Sequence, residues 1–417
     1  MLSTRFMVVG KYLHVIGAVM GSKNNTSTAL YTARALRDFG DGFIAVLLPA
    51  YLLALGFSAF QVGLIATASL LGSALLTMVA GLIGARFEHR QLLLIAAALM
   101  CATGLLFAVA NEFAFLLIIA FVGTINPSAG SVSVFVPLEH AVLARSVNDG
   151  NRTQAFARYS LVGALAAAVG SLSAALPDLF VEFGVSALLA FKAMFGLYAV
   201  VGLIGGYFYA SLPRSKPVSH QQASGLGPSR KIVFHLAALF SLDAFAGGFV
   251  VQSLLALWLF ERFDLSLAGA ASFFFWSGLA SAFSFPIAAW LAKRIGLINT
   301  MVFTHIPASI ALILAAFAPT LSAALTLLWI RAGLSQMDVP ARSSYVMAMV
   351  TEHERAAAAS FTSVPRSLAA ALSPSLAGAL FAASLKAWPL VLCGCLKILY
   401  DILLLLQFRH QKPPEER

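Results

Sequence analysis

The chain has 417 residues, of which 60% are hydrophobic and only 11% charged, with a formal net charge of +10. A soluble domain carries roughly a quarter charged residues, so this chain lacks the polar side chains needed to cover a water-facing surface. Its apolar runs are about 20 residues long, which argues against a transmembrane barrel and for an all-α polytopic membrane protein.

Residues 1–33 read as an N-terminal extension rather than a span: Phe6–Met20 is apolar but broken by Lys11 and His14, and Gly21–Thr28 is polar. Six spans follow within residues 34–210. The first covers about Leu36–Gly56 and holds Asp38, Asp41 and Pro49; the second, about Val62–Gly84, ends at the loop ARFEHR. The third is about Gln91–Ala110. A long fourth, about Phe113–Ala144, carries Pro127, Pro137, Glu139 and His140. The fifth, about Ala155–Leu176, has Arg158 near its start, and the sixth, about Val185–Ala210, contains Lys192. Residues 211–231 are polar and basic, and Pro213, Pro217 and Pro228 forbid one continuous helix, so they read as a linker.

Six more spans occupy residues 232–410, before a polar tail at 411–417. The seventh, about Ile232–Phe260, holds Asp243; the eighth and ninth are about Leu267–Ala292 and Gly296–Ala318. The tenth, about Leu321–Val350, holds Arg331, Asp338, Pro340 and Arg342. The eleventh, about Ala356–Leu385, holds Arg366, and the twelfth, about Pro389–Phe408, holds Lys397 and Asp401. With twelve spans both termini lie on one side. The loops of the opposite side hold only Arg262 and Lys386, whereas the termini side holds Arg86, Arg90, Arg145, Arg152, Lys293, Arg294 and the linker cations. The positive-inside rule makes both termini cytoplasmic, in the cell (inner) membrane. The same placement ties the positive charge to topology and anionic lipid rather than to nucleic acid. Cys101, Cys393 and Cys395 lie within spans and form neither a disulfide framework nor a metal clip; no cofactor or metal is expected.

The two halves resemble each other. Arg86 after the second span corresponds to Arg294 after the eighth, Phe39–Phe43 to Phe245–Phe249, and Asp149–Arg152 to Glu352–Arg355, in the same order and at nearly the same separation. A duplicated six-span unit is a transporter architecture, with its site between the halves near the bilayer midplane. The loop after the second span also resembles the motif G-x-x-x-D-(R/K)-x-G-(R/K)-(R/K) of the major facilitator superfamily. Gly81, Arg86 and Arg90 match, while Ala85 stands for the acid and Glu88 for the second glycine. The resemblance, over roughly residues 34–410, implies two pseudo-symmetric six-helix bundles and rocker-switch alternation. It also implies a cytoplasmic latch made by this loop, with Glu88 as the only available acid.

Ionisable residues inside spans are costly and mark cavities or partners. Asp41 and Asp243 are expected to carry protons, or else to cap a helix end or neutralise a neighbour. Arg331 near mid-depth, Asp338 and Arg342 at i, i+4, and Arg366 are candidates for a substrate or coupling site; the competing reading is a structural ion pair. Glu139 and Arg158 are read as a cytoplasmic gate or a stabilising pair. Lys192 and Lys397 are read as snorkelling, and His305 as a packing histidine. The expected function is secondary active transport of a small molecule by a monomer, with protons as the possible coupling ion. The alternative is a receptor or regulatory subunit that keeps the fold without turnover. No nucleophile or metal motif points to an enzyme.

Overall fold

The computed structural model describes residues 25–83, 87–129, 133–147, 152–214, 227–351 and 354–409, and these are helical, with no strand among them. The first half comprises α1 (Asn25–Ala54), α2 (Ala59–Ile83), α3 (His89–Val109), the fourth crossing as α4 (Phe113–Val122) and α5 (Phe135–Ser146), α6 (Arg152–Ser173) with the short α7 (Leu176–Glu182), and α8 (Ala187–Ala210). The second half comprises the seventh crossing as α9 (Arg230–Gly248) and α10 (Gln252–Phe263), then α11 (Leu267–Ile295) and α12 (Leu297–Ala316). It continues with the tenth crossing as α13 (Leu321–Leu334) and α14 (Asp338–Ala348), and ends with α15 (Arg355–Ala382) and α16 (Trp388–Phe408).

Among the described residues eight segments are long and apolar enough to cross a membrane by composition alone. Other crossings carry charge or a break where hydropathy would otherwise be high: Arg37, Asp38 and Asp41 stand on α1, and the fourth and tenth crossings are interrupted. Interrupted helices are tolerated at membrane depth where protein or a cavity receives the freed backbone groups.

Among the described residues the first helix covers Asn25–Ala54, well before Leu36, so residues 25–33 pack with the bundle instead of forming an extension. Leu30, Tyr31 and Ala33 are buried. The polar residues that look like a boundary are satisfied within the fold: Thr32 donates back to the Thr28 carbonyl at 3.0 Å, the Ser27 and Ser146 hydroxyls lie 3.3 Å apart, and Tyr31 donates to the Ala155 carbonyl at 3.3 Å. Most of the linker, like the start of the chain, lies outside the described residues.

Within the first half, α1 packs closely on α6: a Cβ on Gly42 would lie 2.2 Å from the Ala167 carbonyl oxygen. The two halves meet where α2 crosses α15. There Gly63 approaches Gly378 so closely that a Cβ on Gly63 would lie 2.5 Å from the Pro374 oxygen and 2.9 Å from the Gly378 Cα. Close to this crossing the Ser375 N–H donates to Thr67 Oγ1 at 2.9 Å. Further ties join Ser253 N–H to the Pro127 carbonyl (3.0 Å), Gln252 to Ser171 (3.2 Å) and Ala268 N–H to Asp178 (3.2 Å). All of these lie toward the end of the molecule opposite its described chain ends. Beyond this seam the halves enclose a cavity.

Candidate functional site

The cavity has a volume of about 680 Å³ and is lined by both halves. Its wall runs from Gln252, Leu255 and Phe273 beside the seam to Arg34, His140 and Arg342 toward the side of the chain termini. Several charged groups converge on its second-half wall, each supplied by a different helix.

Asp243 stands on α9 shortly before that helix breaks, and is 4% exposed. Lys397 Nζ from α16 lies 2.5 Å from its Oδ1, and Arg342 Nη1 from α14 lies 2.9 Å from its Oδ2. Arg342 also reaches Asp338 Oδ2, one turn back on its own helix, at 3.2 Å, and its guanidinium lies 5.6 Å from the Phe240 ring centroid. His305 from α12 bridges to a third carboxyl: its Nε2 is 3.3 Å from Lys397 Nζ and 3.8 Å from Asp243, and its Nδ1 is 3.1 Å from Asp401 Oδ1. The cluster therefore sets three carboxyl groups against two fixed cations. A single proton, on His305 or on a carboxyl, balances it.

Arg331 on α13 and Arg366 on α15 line the same cavity. Neither has a carboxylate within salt-bridge distance among the described residues. The tenth crossing turns at 335–337, between Arg331 and Asp338, so the two stand on separate helices, α13 and α14. Pro340 has no N–H to offer the Gln336 carbonyl, which accepts from Val339 at 3.4 Å instead.

The first half has its own buried network. Asp38 is buried, 2.7 Å from Arg34 and 3.4 Å from Arg37. Arg37 pairs with Glu139 at 3.0 Å and donates to Ser133 at 3.1 Å. Glu139 is fully buried and also accepts from the Tyr159 and Tyr209 hydroxyls. Its partner is thus Arg37, not Arg158, which is half-buried and makes no ion pair among the described residues. Asp41 does not line the cavity; the Tyr198 hydroxyl lies 3.3 Å from its Oδ1 and 3.1 Å from the Thr124 carbonyl oxygen.

The loop residues read as a latch stay within their own halves. Arg90 donates to the Ala210 carbonyl at 2.7 Å, Arg294 lies 4.3 Å from the Trp290 ring centroid, and Gly81 is exposed on α2. The Glu88 carboxylate makes no hydrogen bond or ion pair among the described residues, and Arg86 lies outside them. Lys397 and His305, read from sequence as peripheral, are central. The available signal was depth: Lys397 sits near the middle of α16, too far from either end to snorkel, and Asp401 is one turn away on the same face. No group of His, Cys, Asp and Glu among the described residues could hold a metal ion.

The family model for the Major Facilitator Superfamily matches residues 30–330 and 237–417. An uncharacterized membrane protein of Saccharomyces cerevisiae is 22% identical over 416 residues, covering 91% of this chain and 93% of its own length. Solved structures of similar fold include the nucleoside transporter NupG (TM-score 0.73, 12% identity, 92% of this chain and 100% of that one). A bacterial homolog to the human lysosomal transporter Spinster, inward-facing and occupied, gives 0.72 at 16% identity, over 93% of this chain and 96% of its own. The POT family transporter PepTSo gives 0.72 at 12% identity, over 93% and 98%. The chain belongs to the Major Facilitator Superfamily.

Proposed function

We propose that the protein is a secondary active transporter of a small anionic molecule, coupled to a proton, acting as a monomer. The observation that carries this reading is the pair Arg331 and Arg366: two cations in the cavity wall, without carboxylate partners among the described residues, beside a cluster that one proton balances. An anionic group entering between them meets the charge it needs, and it competes with Asp243 for Arg342 and Lys397. Protonating Asp243 releases the same two cations. Substrate charge and proton thus act on one set of contacts, which is the coupling an alternating-access cycle requires. The loop cations support cytoplasmic termini, in the cell membrane, and hence a cavity facing the cytoplasm.

The test is flux into proteoliposomes of a panel of mono- and dicarboxylates, phosphate esters and neutral analogues, with and without an imposed pH gradient. Flux is expected for anions, driven by the gradient, and reduced at least about tenfold by Arg366→Gln and by Arg331→Gln. Flux of neutral compounds that both variants leave intact would remove the anionic substrate. Anion binding with no flux in either direction would favour a non-transporting receptor.

A further inference from the structure

A second cavity, of about 670 Å³, lies outside the central site, where the end of α11, the start of α12, the middle of α14 and the end of α16 come together. Among the described residues its charged lining is Lys293, Arg294 and Arg409. Lys293 and Arg294 are exposed and make no ion pair among the described residues; the Arg294 guanidinium lies over the Trp290 ring. Three chain segments end here on the side of the termini, so the cavity stands at the boundary between hydrocarbon and headgroups. The approach to it along α11 is apolar and exposed: Ile287 at 51%, Trp290 at 52% and Ile295 at 38%.

We propose that this pocket binds the phosphate of an anionic phospholipid from the leaflet on the termini side. The cations hold the headgroup, and an acyl chain lies along the exposed face of Ile287 and Trp290. A basic pocket between spans at this depth, with Lys293 and Arg294 making no ion pair among the described residues, suits such a headgroup. A free phosphate would meet the same cations, but it has no use for the apolar approach. The pocket also touches the helix that carries the central site: Pro340, Ala341 and Ser344 of α14 line it, while Asp338 and Arg342 of the same helix face the central cavity. A bound headgroup braces α14 from behind.

The experiment is native mass spectrometry of the purified full chain in detergent, titrated with phosphatidylglycerol or with phosphatidylcholine. One retained phosphatidylglycerol adduct is expected, weakened about thirty-fold in Lys293→Gln/Arg294→Gln, since each cation near a lipid phosphate contributes roughly 1 kcal/mol. The control Arg230→Gln/Lys231→Gln removes the same charge from the same side outside the pocket and should bind normally. Equal loss in both double variants would mean diffuse attraction and overturn the site, as would equal retention of phosphatidylcholine. A third arm adds inorganic phosphate. Phosphate that displaces no phosphatidylglycerol at millimolar concentration supports the lipid. Phosphate that binds tightly with the same dependence on Lys293 and Arg294, while phosphatidylglycerol does not, would make this a free-anion site and overturn the lipid. Thermal unfolding in lipid-free detergent should be the same for all three chains, which keeps misfolding out of the comparison.

Discussion

Asp243 is held by side chains from two helices other than its own, with His305 on a third close by, so its removal affects each of them. Breaking a buried pair from one side typically costs about 3–5 kcal/mol, because the remaining charge has lost its counter-ion. Asp243→Asn and Lys397→Gln are each expected to lower the melting temperature in detergent, while the double variant recovers at least half of the summed loss. Additive losses would mean that the two do not interact. The pairing of Asp338 with Arg342 was legible in the sequence, since i, i+4 spacing on a helix brings the two within reach. The depth of Asp243 was legible as well. The roles of Lys397, His305 and Asp401 were not, because nothing in one helix's sequence reports which neighbours turn toward it. Asp41 stands outside the cavity wall, and its neighbour Gly42 packs closely on Ala167 of α6, a contact that no single-helix pattern announces.

Among the elements, the interrupted crossings and the end of the linker have separate uses. The fourth, seventh and tenth crossings break at mid-course, and the breaks of the seventh and tenth fall beside Asp243 and Asp338. Prolines announced irregularity in the fourth and tenth, whereas the break after Gly248 has no proline to mark it. The linker's return is pinned by Glu354, just before α15 and outside the spans. The Ser229 and Thr351 hydroxyls donate to its Oε2 at 2.7 Å each, and Gly227 N–H donates to Oε1 at 2.5 Å. These hydrogen bonds, the Ser229 hydroxyl first, hold the carboxyl down to about 2 from an ordinary 4.5. A depressed carboxyl stabilises the fold fully above the ordinary value and loses that contribution as pH falls toward 2. The contact is therefore expected to persist unchanged from pH 8 to pH 5. Glu354→Gln should speed proteolytic cleavage of the linker at neutral pH by a few-fold, and its cleavage rate should differ least from the parent near pH 2–3, measured with an acid-active protease. A difference that grows on acidification would contradict the assignment.

For the whole molecule, the arrangement of two like halves around one cavity follows from span count, duplication and cation placement, all readable along the chain. The seam is not readable there, because Gly63 and Gly378 are ordinary small residues until two helices cross at them. Closing that seam permanently is expected to stop the cycle. With Cys395 replaced by Ser, a Thr67→Cys/Ser375→Cys chain should cross-link on oxidation, lose flux, and regain it on reduction; flux that survives full cross-linking would mean the seam does not open during transport. Gly63→Val attacks the same crossing from the opposite direction. Its side chain would meet the Pro374 carbonyl, so the seam should part and cysteines placed at 67 or 375 should label faster from the far side of the membrane.

The depth of the central cavity also determines where the membrane's electric field falls. The cavity is lined from Arg34 and His140 on the termini side to Gln252 beside the seam, and a cavity continuous with the termini side carries the potential of that side inward, so the voltage drops mainly across the layer around Gly63 and Gly378. A full crossing of the field is worth about 2.3 kcal/mol per charge at 100 mV. Little of this acts on a ligand that enters from the open side, and most of it acts when the seam changes sides. Ligand affinity measured from the termini side should hence be nearly indifferent to membrane voltage, and the reorientation rate should carry almost all of the voltage dependence.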